Sequence, residues 1–265
     1  MASLDQHFQR PEFNIPRRLL LMVIGSVKTG KSTLGLSAVG LGPLAILDYD
    51  MGLEGPLAPF KGKEIWHLPL DAPTSMLLEQ DITNDDYKRV WLRAKDAFLF
   101  AVRDPRIKTV VVDTASEMWE ACRLAHFGKL TQVFPMNRYG EPNGDFRYLL
   151  RAANDQTNLN VILTHKMKDE YVNDHRTGRK TFAGFNDVPG WAQMVVEMWK
   201  REKTYGLTII ECRHKRALEG TELPAAIASF PTLLDLVHGP APERNNAENR
   251  RRFSDPWGNS TGPAH

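Results

Sequence analysis

The chain has 265 residues, 42% of them hydrophobic and 25% charged, an ordinary balance for a globular protein large enough for one or two domains. Its net charge of +2 excludes a whole-chain electrostatic binder of nucleic acid, so any such contact must come from a local patch. Two distant cysteines, Cys122 and Cys212, without C-x-x-C spacing, read as reduced, buried thiols and not as a disulfide or metal framework. No apolar run approaches the ~20 residues a bilayer span needs, and Met1 to Arg18 lacks the apolar stretch of a signal peptide, so the expected setting is the cytoplasm, with no membrane partner.

Residues 1–16 are polar and carry Pro11 and Pro16, which suggests an arm outside the core. Arg17 to Ile24 predicts the first strand, and its continuous apolar character from Leu19 suits a strand covered on both faces. It runs into Gly25-Ser26-Val27-Lys28-Thr29-Gly30-Lys31-Ser32-Thr33, which satisfies the phosphate-binding pattern G-x-x-x-x-G-K-[ST]. The chemistry needs these residue types. Gly25 and Gly30 let backbone N–H groups converge on phosphate oxygens, and the following helix presents its positive end to the same anion. Lys31 is expected at the β- and γ-phosphates, and the Ser32 hydroxyl on Mg²⁺. Lys28 either adds a second cation or points to solvent. The helix is predicted over Lys31 to Val39, ended by Gly40 and Gly42.

Leu44 to Leu47 predicts a second buried strand, ending in Asp48-Tyr49-Asp50. Carboxylates just past such a strand stand where ligands bind in open α/β sheets. Asp50 is the candidate base or water-orienting group, Glu54 is its alternative, and capping of the next turn is the bland role for both. A short strand is expected around Glu64 to Leu68. Asp85 to Val102 reads as an amphipathic helix, with Tyr87, Val90, Trp91, Ala94, Phe98 and Ala101 at helical spacing as core.

Ile107 to Thr114 predicts a strand ending in Asp113, whose carboxylate is the second expected Mg²⁺ contact. Thr114 and Ser116 are expected to cap a helix over Glu117 to Phe127. Residues 128–143, with Arg138 and Tyr139, read as a loop, and Asp145 to Thr157 as a helix. Leu159 to Leu163 is a third apolar strand. Its tip, Thr164-His165, would face the γ-phosphate beside Asp113, unless His165 is a hydrogen-bonded core histidine.

Residues 166–190 read as a mobile loop around a hairpin-like turn. Lys168, Arg176, Arg179 and Lys180 are interleaved there with Tyr171, Phe182 and Phe185, a mixture suited to single-stranded nucleic acid or to an ordinary solvated hairpin. Ala192 to Trp199 and Leu207 to Cys212 read as two strands or a helix–strand pair. Lys215 and Arg216 follow on the strand tip, where cations can stabilise phosphoryl charge in their own site or a neighbour's, or form a solvated turn. A last strand is expected over Ala225 to Phe230 and a short helix over Thr232 to Val237. Residues 239–265 have the composition of a disordered tail.

This order of signals resembles the RecA-type ATPase core, and most the short phage-encoded RecA-like proteins associated with nucleotide binding and single-strand annealing. The resemblance covers roughly residues 17–237 and implies one ATPase domain over 17–238: a mostly parallel twisted sheet flanked by helices, binding ATP with Mg²⁺. It places the family's catalytic glutamate position at Asp50. It implies DNA contact through residues 128–143, where Arg138 lies, and through residues 166–190. It gives Lys215 and Arg216 a role in a neighbouring protomer's site, hence a ring or filament with ATP between subunits. Single-stranded DNA and a single-strand-binding protein are the further partners it implies. A small-molecule phosphotransferase and an ATP-switched assembly module remain the alternatives.

Overall fold

The computed structural model describes residues 15–76, 82–129, 139–172 and 175–241. The N-terminal arm through residue 14, the tail from residue 242, and Arg138 lie outside the described residues.

Ten strands are described: β1 (Leu20–Gly25), β2 (Leu44–Asp48), β3 (Ile65–Pro69), β4 (Thr109–Asp113), β5 (Asn160–His165), β6 (Met167–Val172), β7 (His175–Phe182), β8 (Met194–Arg201), β9 (Thr204–Cys212) and β10 (Glu222–Pro224). Eight of them form one sheet in the order β10-β9-β8-β1-β5-β4-β2-β3, while β6 and β7 form a separate two-stranded ribbon. Within the eight-stranded sheet the pairings from β3 across to β8 are parallel and those of β8–β9 and β9–β10 antiparallel, and the β6–β7 ribbon is antiparallel too. The fold is therefore α/β with a mostly parallel sheet flanked by helices.

Burial on both faces explains the apolar runs. Along β1, Leu20 and Met22 point into one core, and Leu19, Leu21 and Val23 into the other. The first core is covered by α4 (Asn84–Arg103), α5 (Ala115–Phe127) and α6 (Gly140–Asn154). The second is covered by α1 (Lys31–Leu36), a following 3₁₀ turn (Ser37–Leu41) and α8 (Phe230–His238). The short helices α2 (Glu54–Leu57), α3 (Pro73–Met76) and α7 (Val188–Trp191) complete the described set. Helix α4 buries the positions that its spacing marked as core, and a Thr83–Asp86 capping box closes its start.

Several expectations are corrected. The first helix stays α-helical only to Leu36 before tightening to 3₁₀. Residues 166–190 are no irregular loop: most of them pair as the β6–β7 ribbon, and α7 follows. The helix expected from Asp145 starts at Gly140. The last strand is β10 at Glu222–Pro224. Phe230 instead opens α8, because the Ser229 hydroxyl accepts from Thr232 N and caps a helix there. Of the two readings for residues 192–212, the strand pair is observed.

Candidate nucleotide site

Parallel pairing brings the C-terminal tips of β1, β2, β4 and β5 to one sheet edge, and the phosphate-loop motif lies there. The loop is shaped by positive φ at Gly25 (154°), Lys28 (60°) and Gly30 (98°). A Cβ at Gly25 would stand 2.7 Å from the Met198 carbonyl of the adjacent β8, so only glycine fits against that strand. Thr29 Oγ1 donates to Ser26 O at 2.8 Å and braces the turn. Lys31 Nζ donates to Gly25 O at 3.0 Å and Ser26 O at 2.8 Å. Burial lowers the Lys31 pKa, against the pull of Asp113 and Asp50. Ser26, Val27 and Lys28 are exposed at the loop's outer rim, and Thr33 is half-buried in α1.

Beside the loop, Asp113 is buried at the tip of β4. The Ser32 hydroxyl hydrogen-bonds to its carboxylate, and Thr164 Oγ1 donates to Oδ1 at 2.5 Å. Burial raises the Asp113 pKa, and these two donors only partly offset it. Two hydroxyls around one buried carboxylate form a hard oxygen donor set that fits Mg²⁺, with Ser32 and Asp113 as the residues that would hold it.

At the β2 tip the two aspartates divide their roles. Asp48 is buried and accepts from the Asp50 and Met51 backbone N–H groups and from His67 Nε2, so the turn-capping role belongs to Asp48. Asp50 is partly exposed, and its Oδ1 lies 2.8 Å from Lys166 Nζ. The same ammonium reaches Glu117 Oε1 at 2.8 Å. Burial pulls the Lys166 pKa down, but the hydrogen bonds it donates to both carboxylates outweigh it and leave it raised. Glu117, buried in the first turn of α5, also accepts from Thr74 Oγ1 at 2.8 Å and from Thr74 N at 3.2 Å. Glu54 is exposed at the start of α2.

Glu117, Lys166 and Thr74 were not singled out in the sequence. The available signal was weak: a lysine one residue past a strand tip and a glutamate in the first turn after Asp113.

His165 is fully buried. Its Nδ1 pairs with Ala183 O at 3.0 Å, its ring meets Phe182 edge-on, and burial lowers its pKa to about 4. Of its two expected roles, the geometry matches the hydrogen-bonded core histidine. It also locks the β5 tip to the base of the ribbon, helped by Ser116, whose hydroxyl donates to Ala183 O and accepts from Lys166 N.

The ribbon carries Lys168, Arg176, Arg179 and Lys180 in exposed positions, with Arg176 paired to Asp169 at 2.9 Å. Lys215 and Arg216 lie elsewhere. Strand β9 ends at Cys212, level with Met194 and Leu21, so both cations emerge at the sheet edge opposite the phosphate loop. That excludes them from their own chain's site. Lys215 Nζ donates to Leu236 O at 3.2 Å. Among the described residues, no helix is long and apolar enough to cross a membrane.

Three solved structures illustrate what the chain is similar to. A RadB recombinase is 15% identical, with 79% of this chain and 87% of that chain covered and a TM-score of 0.48. A KaiC-like protein from Pyrococcus horikoshii OT3 is 13% identical, with 79% and 86% covered and a TM-score of 0.41. An ATPase of a bacterial type III secretion system is 14% identical, with 73% and 61% covered and a TM-score of 0.45. No curated protein matches the chain. The AAA domain family AAA_24 matches residues 17–215, which include every strand and helix that meets at the phosphate loop, and the chain belongs to that family.

Proposed function

We propose that this protein is a RecA-type ATPase, with residues 17–238 as the ATPase domain, that binds ATP with Mg²⁺ and acts on single-stranded DNA in phage recombination, annealing or replication. The observation that carries the reading is the meeting of four strand tips: Lys31, the Ser32–Asp113 pair and the Asp50–Lys166–Glu117 cluster share one edge of the sheet. The backbone of Gly25 to Thr33 cradles the phosphates, and Lys31 turns from its loop carbonyls to the β- and γ-oxygens. Ser32 and Asp113 would hold Mg²⁺, which would supply neutralisation of phosphate charge. Asp50 orients a water for attack on the γ-phosphorus and takes its proton as the bond to the β–γ bridging oxygen breaks, leaving ADP and inorganic phosphate.

The DNA assignment rests on the ribbon. Its cations Lys168, Arg176, Arg179 and Lys180 are exposed, and His165 and Ser116 tie its base to the strand tip beside Asp113. A bound strand and a bound γ-phosphate would thus bear on the same few residues. Arg138 joins this surface on the resemblance alone. Lys215 and Arg216 complete the site of a neighbouring protomer, which makes the working unit a ring or filament, and a single-strand-binding protein is a further partner.

One observation favours a second reading, an ATP-switched assembly module with little turnover. Lys166 already occupies an oxygen of Asp50 that a water would need. The two are separated by the ATP hydrolysis rate, with and without single-stranded DNA, across protein concentration. A DNA-stimulated rate per subunit that rises with concentration, and that Lys31→Ala abolishes, supports the ATPase. Tight ATP binding without phosphate release under all these conditions supports the switch.

A further inference from the structure

Away from the nucleotide, three potential ligands of different chemistry meet where α5 packs on α6. Cys122 and His126 stand four residues apart on one face of α5, and Glu141 and Asp145 four apart on one face of α6. The Cys122 sulfur, a His126 ring nitrogen and an Asp145 oxygen all lie within 4.8 Å of one another. Donor atoms around one tetrahedral zinc stand roughly 3.5 Å apart, so small side-chain rotations close the set. His126 Nε2 and Asp145 Oδ2 are already at 3.3 Å.

A candidate outer-shell group lies beside the set. His126 Nδ1 is 3.7 Å from the exposed Glu141 Oε2, outside hydrogen-bond distance but within reach of a small rotation that would make it the carboxylate partner of a ligating imidazole. Asp145 Oδ1 accepts from Lys95 Nζ at 2.9 Å, while Oδ2 faces the histidine and also accepts a long hydrogen bond from Trp91 Nε1 at 3.4 Å. The Cys122 thiol meets Pro142 O at only 3.6 Å, a weak partner that it can give up.

We propose that Cys122, His126 and Asp145 bind one Zn²⁺, with Glu141 positioning His126 and a fourth coordination place open to water. The site is mixed sulfur, nitrogen and oxygen, which suits zinc over Mg²⁺ or Ca²⁺. It would staple the end of α5 to the start of α6, across the connection that carries Arg138. The proposal departs from the sequence expectation that the cysteines form no metal framework. The two cysteines are unrelated, and the relevant spacing is C-x-x-x-H within α5.

The test is Co²⁺ titration of the nucleotide-free full chain. One equivalent should bind with a thiolate-to-cobalt charge-transfer band, and Zn²⁺ should displace it. His126→Ala and Cys122→Ser should abolish the band, Glu141→Gln should weaken binding about 10–100-fold, and His175→Ala should leave it intact. His126 is at the surface, so an unchanged metal-free thermal midpoint in His126→Ala assigns the loss to the missing ligand, even if Cys122→Ser fails to fold. Absence of a charge-transfer band in the parent chain, or its survival in His126→Ala, overturns the site.

Discussion

Lys166 Nζ stands 2.8 Å from Asp50 Oδ1, so the β5 tip and the β2 tip are joined across the candidate nucleotide site by one ammonium group. The other arm of that group neutralises Glu117, whose side chain is 3% exposed. Lys166→Met should therefore destabilise the protein by about 2–4 kcal/mol, chiefly by leaving Glu117 buried and unpaired. Adding Glu117→Gln, which still accepts from Thr74, should recover most of that loss. Urea midpoints of the two single variants and the double variant measure the coupling, and additive losses would rule the pairing out.

Asp113 is buried and accepts from the Ser32 and Thr164 hydroxyls, and burial raises its pKa. Asp113→Asn should raise the thermal stability of the nucleotide-free protein by roughly 1–2 kcal/mol while lowering ATP turnover at least about 100-fold. Calorimetry and phosphate release on the same samples check both signs.

His165 gives the fold a pH limit. Its pKa lies near 4 in the folded chain against an ordinary 6.5, so the folded state excludes a proton that the unfolded state binds. Its contribution is intact above about pH 6.5 and declines as pH falls toward 4, by at most about 3 kcal/mol. His165→Gln retains a donor for Ala183 O and removes the titration. The difference in stability between pH 7 and pH 5 should shrink in that variant, which denaturant melts at the two values will report.

Gly25→Ala places a methyl 2.7 Å from the Met198 carbonyl, a backbone atom that cannot rotate away, and 2.9 Å from Thr29 Oγ1. The phosphate loop or β8 must shift, at a cost of about 2–3 kcal/mol. ATP affinity should fall by more than tenfold in equilibrium binding, with the far-ultraviolet spectrum unchanged.

On the ribbon, Arg179 and Lys180 are exposed, whereas Arg176 is paired with Asp169. If the first two each contact a phosphate, Arg179→Ala with Lys180→Ala should reduce the salt slope of single-stranded DNA affinity by about 1.4. Arg176→Ala should change it less. Fluorescence anisotropy across salt concentrations measures both.

Much of this site was legible in sequence because single strands write it. The apolar runs that end at Gly25, Asp113 and Thr164 are buried on both faces, and a parallel sheet brings such tips together. The Glu117–Lys166–Thr74 contacts were not legible. They join residues 43 and 49 positions apart through side-chain packing that leaves no periodic trace. The ribbon was legible only as one of two readings, a solvated hairpin beside a mobile loop, for a related reason. Its residues are exposed or half-buried, so they lack the alternation of a strand with one face in a core.

The two hydrogen bonds from Lys31 to the carbonyls of Gly25 and Ser26 change what a lysine deletion measures. In the nucleotide-free chain this side chain is an internal cross-link of the loop. Removing it alters the reference state as well as the complex, because the loop loses a clasp before any phosphate arrives. A loss of affinity in Lys31→Ala is thus the sum of a missing ligand and a less ordered receptor. Lys31→Arg, which keeps a cation able to reach the same carbonyls, separates the two. Loop order measured by hydrogen exchange should survive in that variant even where phosphate recognition does not.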